Sequence, residues 1–225
     1  KLEYNERSLE YGVINKEYNY ENSVELVKET FKSIDSEFYN ILLKLLNGFI
    51  DVFPRIGKSD GAFCASGSIK DPVYIMLNHN NKLNDVLTIA HECGHAINDY
   101  FMMNNSNSLY FGNSLAIAEV ASTFFEDFVL EKILENADDE LKLSIIMMKL
   151  NGDVSTIFRQ VAFYKFETEV HNLANKLGYL SKEKIGEIFQ KNMKDYMGDF
   201  INHSSGTENW WIYVGHFRRP FYVYS

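Results

Sequence analysis

The chain has 225 residues, 22 of them basic and 31 acidic, which gives a net charge of −9 with a hydrophobic content of 46%. That length and apolar content suit one domain with a sizeable core, and the acidic balance argues against nucleic acid or an anionic membrane as a partner. No apolar run reaches the ~20 residues that span a bilayer, and two cysteines, Cys64 and Cys93, make no disulfide framework, so a soluble, cytoplasmic protein is expected.

The three prolines, Pro54, Pro72 and Pro220, leave the span 73–219 free of the strongest helix breaker, which predicts a mainly α protein. Asn22 with Glu25 is the expected capping pair ahead of Val24, Val27, Phe31 and Ile34. The apolar pattern resumes at Ile41, Leu42, Leu45, Leu46, Phe49 and Ile50, as one long helix or two. After a turn-rich stretch over 54–61, the segments 62–66 and 73–77 read as strands around a Gly/Ser/Asp/Pro connection and predict a small antiparallel hairpin. Asn84 or Asp85 is expected to cap the next helix, whose apolar side carries Val86, Leu87, Ile89, Ala90 and Ile97 while His91 and His95 share another stripe. A polar loop over 104–113 precedes a helix over 114–134. Helical periodicity then runs over 138–177, with Asn151–Gly152 the candidate break and Gly178 the stop. Ser181 opens a further helix with Ile185, Ile188 and Phe189 facing the core, Gly198 closes it, and 201–219 reads as irregular.

The chemistry begins at His91-Glu92-Cys93-Gly94-His95, an instance of HExxH. On a helix, side chains at i and i+4 share a face, so both imidazoles can reach one metal ion, while Glu92 projects to the adjacent side, where it can accept a proton from an attacking water. A catalytic zinc takes a third protein ligand, and Glu119, set among small and apolar residues on the following helix, is the first candidate; Glu126 and Asp127, one to two turns on, are expected behind the ligands or on the surface, with Glu126 the next candidate should Glu119 point away. One zinc ion held at about 2.0–2.2 Å by His91, His95 and Glu119 is expected. Such an ion lowers the pKa of bound water to about 7 and polarises a peptide carbonyl, with Glu92 passing the proton to the leaving amine. The metzincin pattern fails, because Asn98 and Phe101 stand where it needs Gly and His. The C-terminal run 215–224 offers the imidazole of His216 and the phenols of Tyr222 and Tyr224 to an oxyanion. His79, His171 and His203 are expected to be structural, and Arg218 and Arg219 to be ordinary loop arginines.

Several blocks of sequence extend this pattern: Gly57-Lys58, Gly61-Ala62, Asp85-Val86, Thr88, the HECGHA run, Glu119 to Phe124, His216-Phe217 and Pro220 to Tyr224. In them the chain resembles the thimet oligopeptidase-like metallopeptidases, the M3 family, and most closely its oligoendopeptidase F branch. The resemblance covers about residues 57–224. It implies a helical zincin-type catalytic domain with a deep channel, a small antiparallel sheet beside the zinc helix, and endopeptidase activity on short unstructured peptides. It further implies that residues 1–225 are a fragment of that domain, without the N-terminal helical region and the C-terminal end that full-length members carry; Lys1 in place of Met, and an end at Ser225 within an aromatic run, fit that reading. Carried over by position, His91, His95 and Glu119 bind zinc and Glu92 is the base. His216 and Tyr222 or Tyr224 contact the substrate and stabilise the intermediate, and the sequence does not separate the two phenols. The strand over 62–66 is expected to pair with an extended substrate through its backbone. Two positions beside the expected site depart from the branch, Asn98 where a His is common and Phe125 where an Asn is. The competing readings are a carboxypeptidase of the related helical HExxH clan and a non-catalytic helical interaction module. The His-Phe and Phe-Tyr-Val-Tyr ending argues against the first, and the intact Glu92 against the second.

Overall fold

The computed structural model describes residues 1–7, 9, 11–12, 14, 16–112, 114–204 and 206–218, the side chains of 115 and 116 excepted. In chain order the first elements are β1 (Leu2–Glu3), α1 (Tyr20–Ile34), α2 (Ser36–Leu46), β2 (Ile50–Asp51), β3 (Phe63–Ala65) and β4 (Tyr74–Met76). They are followed by α3 (Leu83–Asn105), α4 (Leu115–Glu135), α5 (Asp139–Val154), α6 (Gln160–Leu177), α7 (Lys182–Met197) and β5 (Ile201–Asn202). The fold is therefore mainly α with little sheet. It divides into two compact units, Ile14–Lys142 and a second made of Lys1–Val13 with Leu143–Ser225. No helix among the described residues is long and apolar enough to cross a membrane.

In the first unit, α1 starts earlier than the sequence suggests. Asn19, not Asn22, is the cap: its backbone is extended and its side chain accepts from the Asn22 amide at 2.9 Å, while Glu25 pairs with Lys28 at 2.7 Å. The apolar pattern over 24–50 resolves into two helices, because Asp35 adopts an extended conformation (φ −156°, ψ 139°) that ends α1, and its carboxylate caps α2 through the Glu37 amide at 2.6 Å. Phe49 and Ile50 leave α2 and lead into β2.

The predicted hairpin forms, with Phe63, Cys64 and Ala65 opposite Met76, Ile75 and Tyr74, and it gains a third strand. β2 runs parallel to β4, so the sheet is mixed, in the order β2-β4-β3. Two residues are too few to show a period of two, which hid β2 in the tail of the helical pattern. The Ile75 and Leu77 amides donate toward β2, to Phe49 and Asp51. Tyr74 and Met76 must then face β3, which leaves the main-chain groups of Cys64 pointing off the free edge of the sheet.

Helix α3 begins at Leu83, so neither Asn84 nor Asp85 is its cap. Asp85 lies in the first turn and reaches back, its carboxylate accepting from the amides of Asn80 and Lys82, both at 2.8 Å. The core of this unit holds Val27, Phe31, Leu42, Leu45, Val86, Ile89, Ala90 and Val129, all buried, with Phe125 at 3% exposure. The Phe125 ring lies 4.5 Å from Phe31 and 5.0 Å from Phe38, so the departure at 125 is a core aromatic joining α1, α2 and α4, and not a residue of the site.

In the second unit the helical pattern runs through Asn151–Gly152 without a break. The irregularity falls just beyond, where Ser155–Arg159 widen into a π-helical turn between α5 and α6. Gly178 closes α6 with φ +75°, and the Ser181 hydroxyl caps α7 by accepting from the Lys184 amide at 3.2 Å. Ala162, Phe163, Phe166, Ile188, Phe189 and Met193 form the core here, with Trp210, Trp211 and Phe217 packed on it. The stretch read as irregular holds β5, paired in parallel with β1, and two short 3-10 turns, Thr207–Ile212 and Gly215–Arg218.

Candidate metal centre and active site

On α3, His91 and His95 lie one turn apart with ring centroids 4.9 Å from each other. Helix α4 brings Glu119 to both: one carboxylate oxygen, Oε2, is 3.2 Å from His91 Nε2 and 3.5 Å from His95 Nε2. Gly94 permits that approach. A Cβ at this position would stand 2.7 Å from Ser122 Cα and 2.8 Å from the Ala121 carbonyl oxygen, closer than side-chain and backbone atoms can come. The Gly of HECGH thus sets the spacing of the helices that carry the three donors. Buried Ser122 holds Glu119 in place, its hydroxyl donating to the carboxylate at 2.9 Å. One expectation fails in detail: the Glu119 side chain is 52% exposed, and its neighbours Ile117 and Val120 face outward. The apolar flanks do not bury it.

Glu126 lies two turns further along α4, and its Oε2 is 3.1 Å from His91 Nδ1. A carboxylate only accepts, so a neutral His91 that donates there turns a bare lone pair from Nε2 toward the Glu119 carboxylate. Two acceptors 3.2 Å apart require a cation between them, either a proton or a metal. Convergence of His95 on the same oxygen favours a metal, because ligand atoms about 2.0–2.1 Å from a tetrahedral ion stand about 3.3 Å apart. The donor set His91, His95 and Glu119, its ligand atoms all within 4.8 Å of one another, therefore fits an ion with a nitrogen and oxygen preference such as zinc.

Electrostatics support the grouping. Burial disfavours a charged His91, yet the Glu126 hydrogen bond and the charges of Glu92, Glu119 and Glu126 outweigh it and raise its pKa. Burial lowers the pKa of His95, opposed by the charge of Glu119 and by a hydrogen bond to the Ala118 main chain. Glu92 is 6% exposed, and burial raises its pKa, with Glu119 adding to the rise and the His91 charge and a hydrogen bond from the Cys64 amide opposing it. That amide is the one that points off the free edge of β3. Two residues further on, the Ser66 hydroxyl bonds Asp99, one turn beyond His95. The edge strand is thus fastened to α3 beside both the base and the second histidine.

The structure brings together four of the seven site residues expected from sequence. His216 lies in the Gly215–Arg218 turn of the second unit and lines a cavity there. Tyr222 and Tyr224 lie outside the described residues. Buried His79 is structural, contacting the Ser23 hydroxyl at 3.3 Å and the Asn81 amide at 3.3 Å, and His171 sits exposed on α6. Sequence reasoning placed Glu126 behind the ligands or on the surface, with a reserve role as ligand; the structure puts it behind His91, a specific contact that the sequence did not name, although its spacing of two turns from Glu119 on one helix face carries the signal. Carboxylates that orient a metal-binding His typically account for 10–100-fold in affinity. Glu126→Gln is therefore expected to weaken zinc binding by about that factor, read by competition with a chromophoric chelator; wild-type affinity would rule out the orienting role.

A helix bearing HExxH, faced by a second helix that supplies a carboxylate, is the arrangement of the helical metallopeptidases. The chain belongs to peptidase family M3, whose profile matches residues 11–225. Its relatives place it in the oligoendopeptidase F branch. It is 31% identical over 218 residues to an oligoendopeptidase F homolog of Borreliella burgdorferi, covering 95% of this chain and 37% of that protein. It is 32% identical over 210 residues to oligopeptidase PepF of Bacillus subtilis, covering 92% and 31%. Among solved structures, a presumptive peptidase from Chlamydophila abortus superposes with a TM-score of 0.77 at 27% identity, over 100% of this chain and 38% of that one. The chain thus spans about a third of the length of the relatives it matches.

Proposed function

We propose that residues 1–225 are part of the M3-type catalytic domain of a zinc-dependent endopeptidase that hydrolyses short, unstructured peptides in the cytoplasm. The observation that carries this reading is a buried carboxylate, Glu92, on the same helical turn as two histidines that converge with Glu119 on one point. A purely structural metal site has no use for such a base. When bound by His91, His95 and Glu119, zinc supplies Lewis-acid polarisation of the scissile carbonyl and an acidified water. Glu92 takes the proton of the attacking water and delivers it to the leaving amine. Burial, which raises its pKa, makes it a better proton acceptor than a solvated carboxylate, while the Cys64 amide fixes its orientation. The outward main-chain groups at the edge of β3 that Glu92 does not occupy receive an extended substrate by main-chain pairing, which suits flexible peptides and excludes folded chains. Two free cysteines, one of them buried, accord with a reducing compartment.

The test uses an internally quenched peptide blocked at both ends and the chain in its native protein. Zinc-dependent cleavage inside the peptide is expected. Activity confined to substrates with a free C-terminus would favour the carboxypeptidase reading, and zinc binding without hydrolysis the interaction module.

The family resemblance assigns His216 and Tyr222 or Tyr224 to the oxyanion of the intermediate. Groups that bind charge formed only in the transition state affect kcat more than KM. Tyr222→Phe or Tyr224→Phe is therefore expected to lower kcat by about 10²–10³-fold with KM little changed; wild-type kcat in both variants would make these tyrosines packing residues.

A further inference from the structure

The second unit holds a cavity of about 490 Å³, within the size range of small-ligand sites. Its walls include Phe163, Phe189, Trp210 and Tyr213, and two arginines, Arg7 and Arg159, line it; no acidic residue does among the described residues. In a chain of net charge −9, a concave surface with two guanidiniums and no carboxylate among the described residues is unusual.

Both arginines are placed by specific structure. The Arg7 guanidinium lies over the rings of Tyr4, at 4.3 Å, and Trp210, at 4.5 Å, and donates to the Tyr4 carbonyl oxygen at 2.7 Å. Those contacts fix its plane without neutralising its charge. Arg159 is the last residue of the π-helical turn, a local widening that re-aims a side chain and recurs at functional sites. Its Nε is buried and has no hydrogen-bond partner among the described residues. A buried guanidinium nitrogen normally finds an acceptor, so the missing acceptor points to a ligand. Both guanidiniums also act on the phenols of Tyr4 and Tyr196: burial raises each phenol, Tyr196 to about 12, and both arginines pull it down. The two charges therefore reach the same small space, and Tyr196, protonated at neutral pH, offers it a further donor.

We propose that this cavity binds a carboxylate attached to an aromatic or apolar group, such as the C-terminal residue of a short peptide. The carboxylate accepts from the Arg159 and Arg7 forks, and its side chain packs against Trp210 and Phe163. His216, which the family resemblance assigns to the substrate, also lines this cavity, whereas Arg7, Arg159 and Trp210, which carry the proposal, are not among the metal donors.

The test follows binding to the zinc-loaded native protein by calorimetric titration with N-acetyl-phenylalanine and with the corresponding amide. The acid is expected to bind at least tenfold more tightly than the amide. Arg159→Gln and Arg7→Gln are each expected to weaken the acid by about 10–100-fold, the range for a hydrogen bond to a charged group. Arg159→Lys, which keeps the charge and the apolar stem, guards against misfolding and is expected to bind between wild type and Arg159→Gln. Removal of zinc with a chelator leaves binding unchanged, which separates this cavity from the metal centre. Equal affinity for acid and amide, no binding of either, wild-type affinity in Arg159→Gln, or loss of binding on chelation would each overturn the proposal.

Discussion

Glu92→Gln is expected to bind one zinc per chain with wild-type affinity and to hydrolyse peptides about 10²–10⁴-fold more slowly, the usual contribution of a positioned general base. The substitution keeps the shape of the side chain and can still accept the hydrogen bond from the Cys64 amide, so the local structure has no reason to change. It removes only the capacity to take a proton. Metal content by mass spectrometry of the native protein, paired with initial rates on a blocked peptide, separates the two effects. Unchanged rates would eliminate Glu92 as the base, and loss of zinc would show that the residue holds the site together instead.

Gly94→Ala is expected to be damaging out of proportion to one methyl group. The added carbon would meet backbone, Ser122 Cα at 2.7 Å and the Ala121 carbonyl oxygen at 2.8 Å, which cannot rotate away as a side chain can. Helix α4 must move off α3. Overpacking of this kind typically costs about 1–3 kcal/mol, and here the displaced segment also carries Glu119 and Ser122. Zinc affinity is expected to fall by more than about tenfold, on the scale of a displaced ligand shell, with a lower melting temperature. A variant with wild-type zinc affinity would mean that the helices approach less closely than the geometry shows.

How far the sequence could be read depended on whether one element or several set each feature. Helices with a continuous apolar stripe and a closing glycine, such as α7 with Ser181 and Gly198, are specified within a few adjacent residues and were legible to the residue. Strand β2 was not, because two residues show no alternation and its identity comes from pairing with β4, some 25 positions away in sequence. The start of α1 was missed because Tyr18-Asn19-Tyr20 looks like loop, and what anchors it is the buried Ser23 hydroxyl bonded back to the Tyr18 and Asn19 carbonyls. In the site, His91, Glu92 and His95 follow from one helical turn. Glu119 needed a second helix but kept a compositional trace, although the burial inferred from that trace was wrong. The contacts of Glu126 with His91 and of Cys64 with Glu92 depend on tertiary packing, and the second lies in a main-chain amide, which has no signature in side-chain identity.

That last contact sets an unequal tolerance at position 64. The proposed base is steadied by an amide proton, and every amino acid except proline supplies one. Among small side chains that fit its half-buried place, residue 64 can therefore drift, even lose its thiol, while the carboxylate of Glu92 stays aligned. Proline alone would remove the donor, and it would do so at the edge of the sheet where a strand can otherwise accept it without penalty. The thiol is half-buried beside Glu92, Cys93 and Asp99, so a scan of Ala, Ser, Thr, Val and Pro at this position should show a flat profile of activity with a single drop at proline, the pattern expected of a position that contributes its backbone and little of its chemistry.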